Sequence, residues 1–361
     1  MTSLADTAPT GASRPRTPAA PLRAVRLWLL IIAALVLTMV VVGGATRLTG
    51  SGLSITEWKP IVGALPPMSE AAWQDAFEKY KQIPQYRAVN KGMTLEGFTA
   101  IFWWEWGHRF LGRAIGFVFL LPFAYFLLRR AIPRAFIPKV AALFVLGGAQ
   151  GGLGWFMVAS GLMGSDRIYV SQYRLAAHLA LATIIAGYAF WLALTIREDG
   201  QERKAAPAAC SSAGAAAIVL SALVYLQIVA GAFVAGLGAG HASNTWPLMG
   251  GHFIPYGLTD HSPLYMNLFE NHITVQFVHR MIAYLIALYA LAFAAAVWSR
   301  PALRAPAIAI GVAVLVQIAL GVATIVYGVP LGYALLHQGN AMLVLAASLW
   351  AVQRAAAPQG A

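Results

Sequence analysis

"LWLLIIAALVLTMVVVGGA", residues 27–45, decides the fold: nineteen residues pass without a charge. At 1.5 Å of rise per residue, a helix of that length reaches about 28 Å, close to the ~30 Å hydrocarbon core of a bilayer. Arg23 and Arg26 precede it, a basic flank that secretory signals share. The apolar run is longer than a signal core, and no convincing cleavage site follows, so it reads as a retained transmembrane helix. Residues 1–22, rich in Ala, Pro, Thr and Arg without apolar periodicity, read as a disordered cytoplasmic tail.

The rest of the chain agrees. It is 59% hydrophobic and 11% charged, against about 45–50% and about 25% for soluble domains. The formal charge of +12 would suit a nucleic-acid binder, but the basic residues lie between apolar runs, where membrane topology puts them. A single cysteine, Cys210, excludes an internal disulfide.

Eight segments are long and apolar enough to span: 24–46, 107–129, 138–160, 173–196, 212–237, 273–298, 304–327 and 333–353. Lys and Arg mark alternate connections. The tail holds Arg14, Arg16, Arg23 and Arg26; the second connection Arg129, Arg130, Arg134 and Lys139; the fourth Arg197, Arg203 and Lys204; the sixth Arg300 and Arg304. The fifth and seventh have none, so both termini are expected in the cytoplasm. The first connection is long and carries charges of both signs. In it "SEAAWQDAFEKYKQIP" puts Trp73, Phe77 and Tyr80 on one helical face, with Ser69 as N-cap and Pro84 as stop, and predicts a short helix on the membrane surface.

The chain also repeats itself every four helices. "GATRLTGSGLSITEWKP" after the first span matches "GAFVAGLGAGHASNTWP" after the fifth; "GHRFLGR" matches "VHRMIAY"; "AQGGLGWFMVASG" matches "VQIALGVATIVYG", aligning Gln150 with Gln317; "AAHLALA" matches "LLHQGNA". Units of four spans keep one orientation, so the repeat axis should run along the membrane normal. The expected fold is all-α: two tandem four-helix bundles related by a pseudo-two-fold. The expected divisions are an N-terminal half at 23–197, a cytoplasmic linker at 198–211, a C-terminal half at 212–354 and a tail at 355–361.

The repeat aligns four histidines. His108, His178, His279 and His337 open the four even-numbered spans, so all lie near the outer face, two per half. Ionisable side chains within a membrane are expensive and generally functional. Zinc wants further ligands that the C-terminal half lacks. Two axial imidazoles on a heme iron fit better, and the glycines around these positions, Gly43, Gly44 and Gly154 among them, permit close approach to a flat ring. Arg109 and Arg280 follow the histidines and could pair with heme propionates or reach headgroups. His241, His252, His261 and His272, near the fifth connection, read as solvated. The halves differ at one telling place: Glu105 stands three residues before His108, Gln276 three before His279. Only the glutamate can take a proton or stabilise a developing positive charge, which suits one reactive porphyrin and one electron relay.

"TRLTGSGLSITEWKP", "MTLEGFTAIFWWEWGHRFLGR", "VSQYRLAAHL", "GAFVAGLGAGHASNTWPLMGGHFIP", "NLFEN", "VQFVHR" and "LLHQ" together resemble the heme A synthase family in its proteobacterial and mitochondrial form, over about residues 26–353. The resemblance implies a membrane enzyme that oxidises the C8 methyl of heme O to the formyl group of heme A for cytochrome c oxidase. It implies that His108 and His178 hold the substrate heme O, that His279 and His337 are axial ligands of a permanent heme B, and that Glu105 is catalytic. It places the chain in the bacterial inner membrane, with heme O synthase, cytochrome c oxidase assembly factors and a second copy of the chain as candidate partners, and no nucleic acid. Some relatives have a cysteine pair in an outer loop; Ile55 stands where the first would be, so no role transfers. The competing reading is a di-heme b-type cytochrome passing electrons to or from quinone, and a weaker one a transporter relaying protons through the histidines.

Overall fold

The computed structural model describes residues 19–59, 62–162, 166–196 and 211–356, all helix and connecting loop with no β-strand. Its α-helices are α1 (Ala19–Leu48), α2 (Glu70–Lys81), α3 (Pro84–Ala88), α4 (Leu95–Leu128), α5 (Ile137–Ala159), α6 (Gln172–Thr195), α7 (Ser212–Leu237), α8 (Asn267–Glu270), α9 (His272–Val297), α10 (Pro301–Val326) and α11 (Leu331–Ala355). Eight of them, α1, α4, α5, α6, α7, α9, α10 and α11, are long and apolar enough to cross a bilayer. Arg14, Arg16, Arg197, Arg203, Lys204, Cys210, the linker as far as residue 210 and the C-terminal tail beyond residue 356 lie outside the described residues.

Local chemistry sets the helix ends. Ser211 caps α7 by accepting from the Gly214 amide, and Asn271 caps α9 by accepting from Ile273 and Thr274. α7 stops at Gly238, whose φ of 69° is cheap only without a Cβ.

One boundary corrects the expectation. The second span begins at Leu95, twelve residues before the expected start at 107, with Thr94 accepting from the Gly97 amide as N-cap. The polar and aromatic stretch that reads as the approach to a helix is already helix. His108 therefore does not open the helix but lies more than three turns along it.

The extension exists because α2 covers it. Phe77 and Tyr80 of α2 are buried with Phe98 and Phe102 of α4, and the Phe77 and Phe98 rings stack at 5.0 Å. Ser69 caps α2 as the sequence indicates, and Pro84 opens α3. The expected role of α2 changes, however: its apolar face is occupied by protein, so it does not rest that face on lipid.

Among the spans, α1 packs against α4 and α6, and α5 against α6; α7 packs against α9 and α11, and α10 against α9 and α11. Contacts of α6 with α7, and of α11 with α1 and α6, join these sets. The centre is made of small and branched residues such as Val25 and Leu29 of α1, Ala189 of α6, Ala217 and Leu220 of α7 and Ala351 of α11. Lipid tails are as apolar as leucine, so close packing and interhelical hydrogen bonds hold such helices together. Gln338 donates to the Val40 carbonyl at 3.0 Å and Gln353 to Leu194 at 3.2 Å, each across this centre.

Candidate functional site

The four repeated histidines sit in the first halves of α4, α6, α9 and α11. His279 and His337 face each other with ring centroids 6.4 Å apart and planes inclined by 72°. A metal bound between two imidazoles needs about 2 Å to each nitrogen and about 1.1 Å more to each ring centre, or about 6.2 Å in all. The centroid spacing of the C-terminal pair is thus that of two imidazoles sharing one metal. Among the described residues, no group of three or more His, Cys, Asp or Glu could complete a metal's coordination by side chains alone. A macrocycle that supplies its own equatorial nitrogens meets that need. In the other half, His108 and His178 lie within electrostatic range of one another.

Three of these histidines are held in the same way. Gln150 of α5 donates to the His178 carbonyl at 3.0 Å, and its amide nitrogen lies 3.2 and 3.3 Å from the two ring nitrogens. Gln317 of α10 does the same for His337, at 3.0 Å to the carbonyl and 3.1 and 3.3 Å to the ring. Gln227 of α7 donates to the His279 carbonyl at 2.9 Å, with its amide 3.3 Å from Nε2. A glycine stands four residues after each glutamine. A Cβ on Gly154, Gly231 or Gly321 would come to within 3.0, 3.1 or 2.9 Å of the histidine Cε1. Glutamine fixes the backbone, and glycine lets the ring lie on the neighbouring helix.

Sequence reading found Gln150 and Gln317 only as repeat markers and missed Gln227 and the glycine rule. The signal was there: an isolated glutamine in an apolar helix with glycine four residues on occurs in α5, α7 and α10.

Glu105 is buried, 3% exposed, and accepts from Arg109 Nε at 2.6 Å. Arg109 also donates to the Ile55 carbonyl at 2.9 Å and the Glu57 carbonyl at 3.2 Å, so it ties the first connection to α4 one residue after His108. Arg280 donates in the same manner to Ser243 at 3.0 Å and Thr245 at 2.9 Å in the fifth connection. Gln276, buried like Glu105, donates to Gly240 and Ser243 instead of pairing with its arginine. Both arginines are therefore loop anchors; Arg280 Nε is buried without a partner. His241, His252, His261 and His272 are exposed, as expected.

Eight helices able to span, two imidazoles set close together inside them and a buried carboxylate one turn from another histidine are features of a membrane-embedded heme protein. Comparison with known proteins narrows this. Residues 26–349 match the family of cytochrome oxidase assembly proteins designated COX15-CtaA, and the chain belongs to that family. Proteins named heme A synthase resemble it over nearly their whole length. That of Parvibaculum lavamentivorans is 52% identical over 92% of this chain and 94% of its own. That of Azorhizobium caulinodans is 53% identical over 91% and 93%, and that of Bradyrhizobium diazoefficiens 50% identical over 95% of each.

Proposed function

We propose that this protein is a heme A synthase, a membrane enzyme that oxidises the C8 methyl of heme O to a formyl group. Its relatives' names support the reaction; the observation in the molecule that carries it is the unequal pair of halves. Each half aligns two histidines on separate helices, but only the first sets a buried carboxylate, Glu105, beside them.

In this reading the molecule is two four-helix bundles, α1, α4, α5 and α6 against α7, α9, α10 and α11, related by a pseudo-two-fold along the membrane normal. Its units are residues 23–197 and 212–354. The neighbour relations of the helices favour this, and so do the matched arginine anchors: Ile55 and Glu57 under Arg109, Ser243 and Thr245 under Arg280.

His279 and His337 hold heme B, and their 6.4 Å spacing supports this assignment. His108 and His178 hold heme O as substrate. Heme B, when bound, supplies one-electron transfer. Space supports the division of labour. A Cβ on Gly147, Gly148, Gly151 or Gly152 of α5 would meet nothing within 4 Å. The matching places on α10 are Val314, Leu315, Ile318 and Ala319, so α5 presents a smoother face than α10.

Glu105 acts on the substrate's reacting methyl, accepting a proton or stabilising positive charge as it develops. Arg109 holds the carboxylate in place and keeps the loop closed against water. Arg280 Nε, buried without a hydrogen-bond partner among the described residues, and Arg109, whose three nitrogens already donate to Glu105, Glu57 and Ile55, are the guanidinium groups placed to meet propionates. Both termini lie in the cytoplasm and the histidines near the outer face of the bacterial inner membrane. A heme O synthase would supply the substrate, cytochrome c oxidase assembly factors would take the product, and the chain would self-associate.

Mass spectrometry of porphyrins extracted from the purified protein tests the reading. Heme B together with heme O or heme A is expected. Heme B alone would mean a b-type electron carrier, and no porphyrin would mean neither.

A further inference from the structure

The fourth histidine is not held like the other three. On α1 the place that matches Gln227 is Val40, four residues before Gly44. No side-chain amide can donate to His108 from there, and among the described residues its ring makes no hydrogen bond. Its pose differs too. The other three rings turn Cε1 to their glycine; His108 turns Nε2 to α1, 3.4 Å from where a Cβ on Gly43 would sit. The space beside Gly44 is filled instead by Gln338, reaching across from α11 to donate to Val40. The glutamine–glycine cradle is complete on α5, α7 and α10 and is missing only on α1.

From this we infer that His108 is the releasable ligand of the molecule: His178, His279 and His337 keep hold of their porphyrins, and the His108 imidazole lets go to open a coordination position on the substrate's Glu105 side. The inference rests on the heme assignment above. The physical reason is simple. A ligand whose backbone and ring are tied by a neighbouring amide loses little freedom on binding, whereas an untied ring must be ordered by the metal bond alone. Glu105 lies one helical turn before His108 on the same face of α4. A six-coordinate porphyrin in each half would leave small ligands no place to bind; an untied histidine in the reactive half alone gives them one place.

Carbon monoxide reads this directly. The dithionite-reduced, full-length protein, purified with porphyrin in both halves, should bind it at one of its two hemes. Met39→Gln, four residues before the glycine that meets His108 and already against Gly112 of α4, should supply the missing donor and lower the carbon monoxide affinity of that heme by about threefold to tenfold, the net worth of one hydrogen bond. Gln227→Val should make the second heme reactive. His108→Ala should retain two porphyrins per chain, whereas His178→Ala should retain one. Carbon monoxide binding at both hemes or at neither in the unaltered protein would overturn the inference. So would a C-terminal heme that stays inert in Gln227→Val, or porphyrin lost from His108→Ala and kept by His178→Ala. These last two need no Met39 variant, so they decide the matter even if Met39→Gln does not fold. A preparation without porphyrin would instead sink the heme assignment itself.

Discussion

Glu105 and Gln276 differ by one atom in the side chain and by everything in chemistry. Glu105 ends as an acceptor for Arg109, whereas Gln276 spends its amide on loop carbonyls. Glu105→Gln keeps the volume, and Arg109 keeps its two backbone partners, so porphyrin should stay bound. Conversion of heme O to heme A should fall by about a hundredfold or more, the worth of a positioned acid–base group. Porphyrin chromatography of cells carrying the variant would show heme O accumulating; normal heme A would remove Glu105 from the reaction. A second expectation concerns glycine. A methyl added at Gly231 would press on the His279 ring at 3.1 Å, so Gly231→Ala should disturb the heme proposed to lie on His279 and weaken its absorption. Gly107→Ala, where nothing lies within 4 Å, should leave the spectrum alone.

α2 and the outer turns of α4 depend on each other. Phe98 is fully buried between Phe77, Tyr80 and Phe102. Phe98→Ala should cost about 3–5 kcal/mol within this outer layer, and limited proteolysis should then cut between α2 and α4 while the spans stay intact. The layer is also pinned by charge: Lys79 bridges Glu57 at 3.0 Å and Asp75 at 2.7 Å. Hydrogen bonds from Lys79 and Lys59 hold the Glu57 carboxyl below its ordinary 4.5. Hydrogen bonds to Asp75 and Glu57 raise Lys79 above its ordinary 10.5. A lowered carboxylate stabilises above its unfolded value and is lost as pH falls through the folded one. A raised amine stabilises below its unfolded value and is lost as pH rises through the folded one. The bridge therefore holds between about pH 4.5 and 10.5. Both groups are well exposed, so the gain is small and screened by salt. Protection of the α2 amides, taken relative to the intrinsic exchange rate at each pH, should fall below pH 4.5 and stay flat near neutrality; a fall between pH 6 and 8 would point to a different group.

In the whole molecule, the positions of Lys and Arg set which way the histidine ends face. Alkaline phosphatase fused after residue 250, in the lysine- and arginine-free fifth connection, should be active, and a fluorescent protein fused at the C-terminus should shine. The opposite pattern would turn the molecule over and place both pairs of histidines near the cytoplasm. Gln338 links the halves: it follows His337 in sequence and lies against Gly44, the neighbour of the glycine that meets His108. Gln338 thus sets the α11 turn that carries His337 against the stretch of α1 that meets His108.

Hydropathy alone marked out all eight spans, because a bilayer demands about 20 apolar residues and tolerates few charges. The start of α4 escaped it, since "FTAIFWWEWGH" is too polar to read as a span and its helix is secured by a cap and by α2. The sequence also located the four histidines and the lone carboxylate, because a repeat lines up unlike residues at like places. It did not show what each histidine leans on. That Gln227 meets His279 across 52 residues, while Val40 offers His108 nothing, depends on which helices are neighbours and which faces they turn to each other. Hydropathy reports the cost of burial residue by residue; a hydrogen bond between two helices exists only once packing has brought them together.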